Sequence, residues 1–293
     1  MFKGTYTALV TPFRHGQLDE EAFERLIDMQ INGGITGVVP VGTTGESPTL
    51  DHDEHLRVIE LAVKFANGRC HVLAGAGSNS TKEAVELTIA AEKLGVTGVL
   101  QVAPYYNKPS QEGLYRHFMK ISESTKLPIV LYSIPGRCGV EIGIETTARL
   151  AQNTDNIVAI KEAGGSVERV SQLRQALPEH FEILSGDDSM TLPFMALGGV
   201  GVISVVSNLI PTEVSNMVMA ALAGDWANAR GSHEKLYPLF KNMLSIDVNP
   251  VPIKTALALC GLIQPEFRLP LCEASDEVTA QIKELLADHG LLG

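Results

Sequence analysis

The chain has 293 residues, of which 45% are apolar and 19% charged, with 27 glycines and 15 prolines. This is ordinary globular composition, which excludes disordered, collagen-like and coiled-coil chains, and a chain this long holds a core without disulfides or metal. With 23 Lys and Arg against 34 Asp and Glu the formal net charge is −11, which repels phosphate backbones and argues against nucleic acid as a partner.

No apolar run approaches a membrane span; the longest candidate, residues 195–206, is Gly-rich and carries Ser204. The N-terminal segment has only the short apolar patch Ala8-Leu9-Val10, so no signal peptide is expected. Cys70, Cys138, Cys260 and Cys272 are scattered, without a CxxC, and read as reduced thiols of a cytoplasmic protein.

Eight short runs rich in Val, Ile and Leu are predicted as strands, over residues 6–11, 36–41, 71–75, 98–103, 128–134, 157–161, 182–185 and 201–206. Their near-continuous apolarity suits parallel strands buried on both faces. Helical spacing lies between them, at Leu56, Ile59 and Val63 and again at Ala84, Leu87, Ala91 and Leu94. Ser80 with Glu83 reads as a capping box, and Gly33-Gly34, Gly95 and Gly198-Gly199 as helix stops. The units are even in size, about 25–35 residues as βαβ units tend to be, and no GxGxxG follows the first strand. Both features favour a closed (β/α)8 TIM barrel over an open doubly wound sheet. Residues 211–230 are predicted as the eighth helix, followed by a helical appendix. The division expected is a catalytic barrel over residues 1–224 and a C-terminal helical region, residues 225–293, packed on it.

Function in such a barrel sits at the C-terminal ends of the strands. Lys161 ends the apolar run Ile157-Val158-Ala159-Ile160. Pointing inward it is desolvated, which lowers its pKa and frees a neutral amine able to form a Schiff base with a ketone. Pointing outward it merely caps the strand or pairs with Glu162. Tyr132 closes the adjacent strand and is either a proton shuttle or a core tyrosine. Thr43 and Thr44 stand between Gly42 and Gly45, a turn that offers hydroxyls and backbone N–H groups to a carboxylate or is simply tight. Arg137, after Pro135-Gly136, suits bidentate carboxylate binding or is a solvated surface residue. Metal binding is not expected: His52-Asp53-Glu54-His55 lacks the HExxH spacing and opens a helix. Asp187 and Asp188 would repel a phosphate, and a helix cap is their simplest reading.

Taken together, Gly42-Thr43-Thr44-Gly45-Glu46, Tyr105-Tyr106-Asn107, Tyr132 through Arg137 and Ile160-Lys161-Glu162 resemble the dihydrodipicolinate synthase (4-hydroxy-tetrahydrodipicolinate synthase) family, within the pyruvate-dependent class I aldolase and N-acetylneuraminate lyase superfamily. The resemblance runs over essentially the whole chain. It implies a lyase without a separate cofactor, in which pyruvate forms an imine on Lys161 and its enamine condenses with L-aspartate 4-semialdehyde on the way to diaminopimelate and lysine. By position it implies that Tyr132, Thr44 and Tyr106 relay protons. Thr43 and Thr44 would hold the pyruvate carboxylate, Arg137 would hold that of the semialdehyde, and Gly186 and Ile203 would line the pocket. Tyr106 would reach into a neighbouring subunit, which implies a homotetramer built as a dimer of dimers. Ser47, His52, His55, Asn79, Glu83 and Tyr105 match positions where lysine binds as an allosteric feedback inhibitor. The chain departs from the pattern at Ser133, where Asn is usual, at Cys138, where Thr is frequent, and at Pro48, where some inhibited members carry Ala. Cys138 beside Arg137 reads as a somewhat activated thiol, since a neighbouring cation lowers thiol pKa.

N-acetylneuraminate lyase and the 2-keto-3-deoxy sugar-acid aldolases share the lysine and tyrosine, so Lys161 does not separate them from the synthase. Arg137, the Thr43-Thr44 pair and the second tyrosine of Tyr105-Tyr106 favour the synthase, whose dicarboxylic adduct needs a second carboxylate clamp. A non-enzymatic metabolite sensor on the same barrel predicts a broken lysine–tyrosine–threonine set, and here the set is whole.

Overall fold

The computed structural model describes residues 1–292. Eight parallel strands close into a barrel, each paired with the next and the last with the first. They are β1 (Gly4–Ala8), β2 (Gly37–Val39), β3 (His71–Gly75), β4 (Gly98–Val102), β5 (Ile129–Ser133), β6 (Ile157–Glu162), β7 (Glu182–Ser185) and β8 (Gly201–Ser204). All eight expected strands are present, although β1 lies earlier than the residues 6–11 read from the sequence. A small antiparallel ribbon, Phe13–Arg14 with Gln17–Leu18, follows it and was not expected.

Helices α1 (Glu20–Asn32), α2 (His52–Ala66), α3 (Thr81–Lys93), α4 (Gln111–Ser122), α5 (Ile144–Asn153), α6 (Val167–Ala176), α7 (Thr191–Ala196) and α8 (Pro211–Leu222) each follow a strand. Three more, α9 (Trp226–Asn242), α10 (Val251–Leu259) and α11 (Asp276–Asp288), complete the chain. Among the described residues no helix is long and apolar enough to cross a membrane.

Two expected helix ends are corrected. The helix expected over residues 211–230 is two helices: Gly224, at φ +82°, turns the chain, and the Asp225 side chain caps α9 by accepting from Asn228 N. The Ser80–Glu83 pair is half a capping box, with Ser80 accepting from Glu83 N while the Glu83 carboxylate turns to Ser78 and His52. The complete capping box is at α2, between Asp51 and Glu54. The buried stripe of α2 also differs: Val58, Ile59, Leu61 and Ala62 are buried, whereas Leu56 and Val63 are half-buried.

Side chains alternate across each strand. Val38, Val99, Leu131, Ile160 and Val202 face outward into the layer under the helices. Tyr6, Val39, Val130, Ala159 and Ile203 face inward and fill the barrel with Phe2, which plugs its N-terminal end. One core therefore lies inside the barrel and another around it, and Phe240, Ile253, Leu257 and Ile282 of the C-terminal helices join the outer one.

Strands β1 and β8 run so close that a Cβ on Gly201 would stand 1.9 Å from the Gly4 carbonyl oxygen. Gly201→Ala is expected to cost about 1–3 kcal/mol or more in overpacking, read as a lower urea midpoint. Gly231→Ala in α9, where a Cβ meets nothing within 4 Å, serves as control and is expected to be neutral or stabilising by up to about 1 kcal/mol. Equal midpoints for the two variants would show that the β1–β8 seam yields freely.

Candidate active site

Lys161 lies on β6 two residues beyond Ala159, so it shares that residue's inward face. It pairs in register with Tyr132 on β5 and Leu184 on β7. Its amine is 4.2 Å from the centroid of the Tyr132 ring, and only 6% of the residue is exposed. The inward reading of Lys161 is therefore the one realised. Burial lowers its pKa to about 7; the Asp188 charge opposes the shift and Arg137 adds to it. Burial also raises the Tyr132 phenol well above its ordinary value, against the Arg137 charge and the Thr43 side chain. At neutral pH the site thus holds a phenol with its proton and an amine that is substantially uncharged. That pair can add nitrogen to a carbonyl and pass protons.

The loop after β2 brings Thr43 and Thr44 to the same mouth. Val41 and Glu46, at φ +51° and +54°, hold it in a left-handed backbone conformation that is costly for a β-branched residue. Thr44 is buried and its Oγ1 accepts from Asn249 Nδ2 at 3.0 Å. Arg137 sits on the single helical turn Pro135–Cys138 after β5, exposed, with Nη2 donating to the Asn249 carbonyl at 3.2 Å. Gly186 follows β7, where a Cβ would stand 3.0 Å from Lys161 Cε and 2.7 Å from Ala163 Cβ, so only glycine lets the lysine pass. Ile203 is fully buried on the inward face of β8. Tyr106 is different: it is 89% exposed, at φ +74°, and within one chain stands apart from the lysine.

A cavity of about 630 Å³ opens at this mouth. Thr43, Tyr132 and Arg137 line one part; Ser47, His52, His55, Glu83 and Tyr105 line the other. Lys161 is not in its wall, but its amine rests against the Tyr132 ring, which is. Asn79 also lies outside the wall, where its Nδ2 donates to the Tyr105 carbonyl at 3.1 Å. The Glu83 carboxylate is held below its ordinary pKa by Ser78 and His52, so a negative group faces the cavity. His55 is buried and bonds Gly75 O through Nε2 at 2.8 Å, and burial lowers its pKa. It is a neutral donor committed to the backbone. Glu54, in the same His52–His55 run, pairs with Arg268. Among the described residues no group of three metal-ligating side chains comes together.

Cys138 corrects the sequence reading. Its thiol is raised to about 11, because burial outweighs the Arg137 charge. It is less reactive than a free thiol rather than more.

Three features escaped the sequence reading. Asp188, taken with Asp187 for a helix cap, is fully buried at the mouth. Its Oδ2 accepts from Val205 N and Val206 N at 2.9 and 3.1 Å, and burial raises its pKa to about 6. Only Asp187 caps, accepting from Ser189 N. Asn249 reaches the mouth from the C-terminal region; the Asn249-Pro250-Val251-Pro252 run signals a turn, but nothing local signals its target. Glu46 meets Lys254 of α10, both fully buried, and Lys254 also donates to the Glu266 carbonyl at 2.7 Å. The Lys254 ammonium lies between the rings of Phe13 and Phe267, 4.5 and 4.8 Å from their centroids.

The fold and site define the class as a closed (β/α)8 barrel with a desolvated lysine beside a phenol at the mouth. The profile of the Dihydrodipicolinate synthetase family matches residues 1–289. A protein of Pelobacter propionicus named 4-hydroxy-tetrahydrodipicolinate synthase is 52% identical over 292 residues, covering all of both chains. The solved 4-hydroxy-tetrahydrodipicolinate synthase of Methylacidiphilum fumariolicum SolV superposes with a TM-score of 0.94 at 53% identity, again over all of both chains. A dihydrodipicolinate synthase of Cyanidioschyzon merolae, solved with lysine bound, superposes with a TM-score of 0.96 at 40% identity over 99% of each chain. This chain belongs to the dihydrodipicolinate synthetase family.

The Glu46–Lys254 pair ties the threonine loop to α10. Lys254→Met leaves the Glu46 carboxylate buried and unpaired and is expected to cost about 3–5 kcal/mol in urea unfolding. Adding Glu46→Gln is expected to recover much of that loss. Equal losses in the single and double variants would mean that the charge pair is not what holds the loop.

Proposed function

We propose that the chain carries out the 4-hydroxy-tetrahydrodipicolinate synthase reaction through an imine on Lys161. The observation that carries this reading is the buried, ring-packed amine with its pKa lowered to about 7. The neutral amine adds to the ketone carbon of pyruvate, and water leaves to give the imine. A methyl proton is then lost to give the enamine, whose carbon attacks the aldehyde of L-aspartate 4-semialdehyde. The amino group of that substrate displaces Lys161 nitrogen as the ring closes. No separate cofactor is required, since the imine itself is the electron sink.

Tyr132 delivers and recovers protons at the imine, and Thr44 continues the relay. Thr43 and Thr44 take the pyruvate carboxylate, Arg137 takes that of the semialdehyde, and Gly186 and Ile203 shape the pocket. Tyr106 completes the relay in a neighbouring subunit, which its exposure within one chain supports. The assembly is a homotetramer, a dimer of dimers. In the outer part of the cavity Ser47, His52, His55, Asn79, Glu83 and Tyr105 take lysine, the Glu83 carboxylate meeting an ammonium; the lysine-bound relative supports this. The four unpaired thiols support a cytoplasmic location.

Borohydride reduction with saturating pyruvate is expected to add one three-carbon unit to the peptide holding Lys161, and Lys161→Ala to abolish the increment. Tyr132→Phe is expected to lower kcat by about 10²-fold or more while pyruvate binding changes little. Absence of the increment in the wild-type protein would overturn the imine. Full turnover in Tyr132→Phe would overturn the relay.

A further inference from the structure

We propose that Asn249 is a positioning residue that sets the direction in which the Thr44 hydroxyl donates its proton. The inference rests on the imine reading above and adds a group from outside the barrel to it.

Asn249 precedes α10, which is buried over Val251–Leu257 and tethered to the threonine loop by Lys254 and Glu46. That tether presents Asn249 to the loop, where its Nδ2 donates to Thr44 Oγ1 at 3.0 Å. A hydroxyl has one proton to give and two lone pairs. Accepting from Asn249 occupies a lone pair on that side, so the Thr44 proton must point elsewhere, away from α10. Without that bond the hydroxyl rotates freely and donates productively only part of the time. Asn249 Oδ1 is buried without a partner, so the Thr44 bond is the one that orients the amide. The Asn249 main-chain carbonyl, meanwhile, takes one arm of Arg137. That contact does not depend on the side chain, so the two roles separate experimentally.

Asn249→Ala removes the amide and keeps the carbonyl. We expect kcat to fall about tenfold, the order of one lost hydrogen bond, with KM for the semialdehyde and the extent of borohydride trapping unchanged. In a Thr44→Val background the same substitution should have no further effect, because Asn249 acts through Thr44. Additive losses in that cycle, an unchanged kcat, a raised KM or lost trapping would each overturn the inference. If Asn249→Ala does not fold, judged by its thermal melt, Asn249→Asp keeps the shape, removes the donor and enters the same cycle. Failure of trapping in the wild-type protein would instead strike the imine reading, so the two failures are distinguishable.

Discussion

Everything at the mouth of the barrel follows from keeping one amine out of water. A lysine that ends an apolar strand on its inward face cannot be solvated, and the cheapest response is to give up its proton. The surroundings of Lys161 preserve that condition. Leu184 flanks it in the sheet, the Tyr132 ring covers it, and Gly186 supplies the space a Cβ would have filled. Among the described residues it has no ion-pair partner. Asp188 pulls its pKa upward only from a distance, with one carboxylate oxygen already held by two backbone amides. Lys254 shows the opposite solution to the same burial. It is as deeply buried, yet it has a carboxylate, a carbonyl and two aromatic faces. One lysine is left without a partner and is available for chemistry; the other is saturated and holds structure.

That second lysine explains why helices outside the barrel matter to the site. The loop bearing Thr43 and Thr44 carries two non-glycine residues in left-handed conformations, which local preferences alone would relax. Lys254 grips the Glu46 side chain, Arg268 N reaches its other oxygen, and Thr11 holds the Gly45 carbonyl. Asn249 then meets both Thr44 and Arg137. The strained loop is thus held from the β1 side and from the C-terminal region at once. The geometry of the threonine hydroxyls depends on a part of the chain that contributes no strand.

The strands, the barrel and the inward lysine were legible because they rest on periodicity and local apolarity. Once Ile157, Ala159 and Lys161 are taken as alternate positions, the lysine must face in if Ala159 does. The loop motifs were legible through their turn residues and their resemblance to a known family. What escaped depended on partners distant in sequence. Ser80 and Glu83 suggest a full capping box because they are near in the chain; Ser80 does accept from Glu83 N, but the Glu83 carboxylate turns to Ser78 and to His52, on another helix 31 residues away. Cys138 was misjudged for the same reason: the charge of Arg137 is visible in the sequence, and the burial that outweighs it is not. Asn249 and Lys254 lie more than 200 residues from the loop they hold, and no local pattern could mark them.

The central claim is that desolvation, rather than a dedicated base, makes Lys161 nucleophilic near neutral pH. Rapid-quench borohydride trapping gives the rate of imine formation from pyruvate as a function of pH. Because the neutral amine is the attacking form, that rate should rise with pH and level off above about 7. A rate still climbing tenfold per pH unit towards 10 would mean that the amine titrates like a solvated lysine, and the dry mouth of the barrel would not be the source of its reactivity.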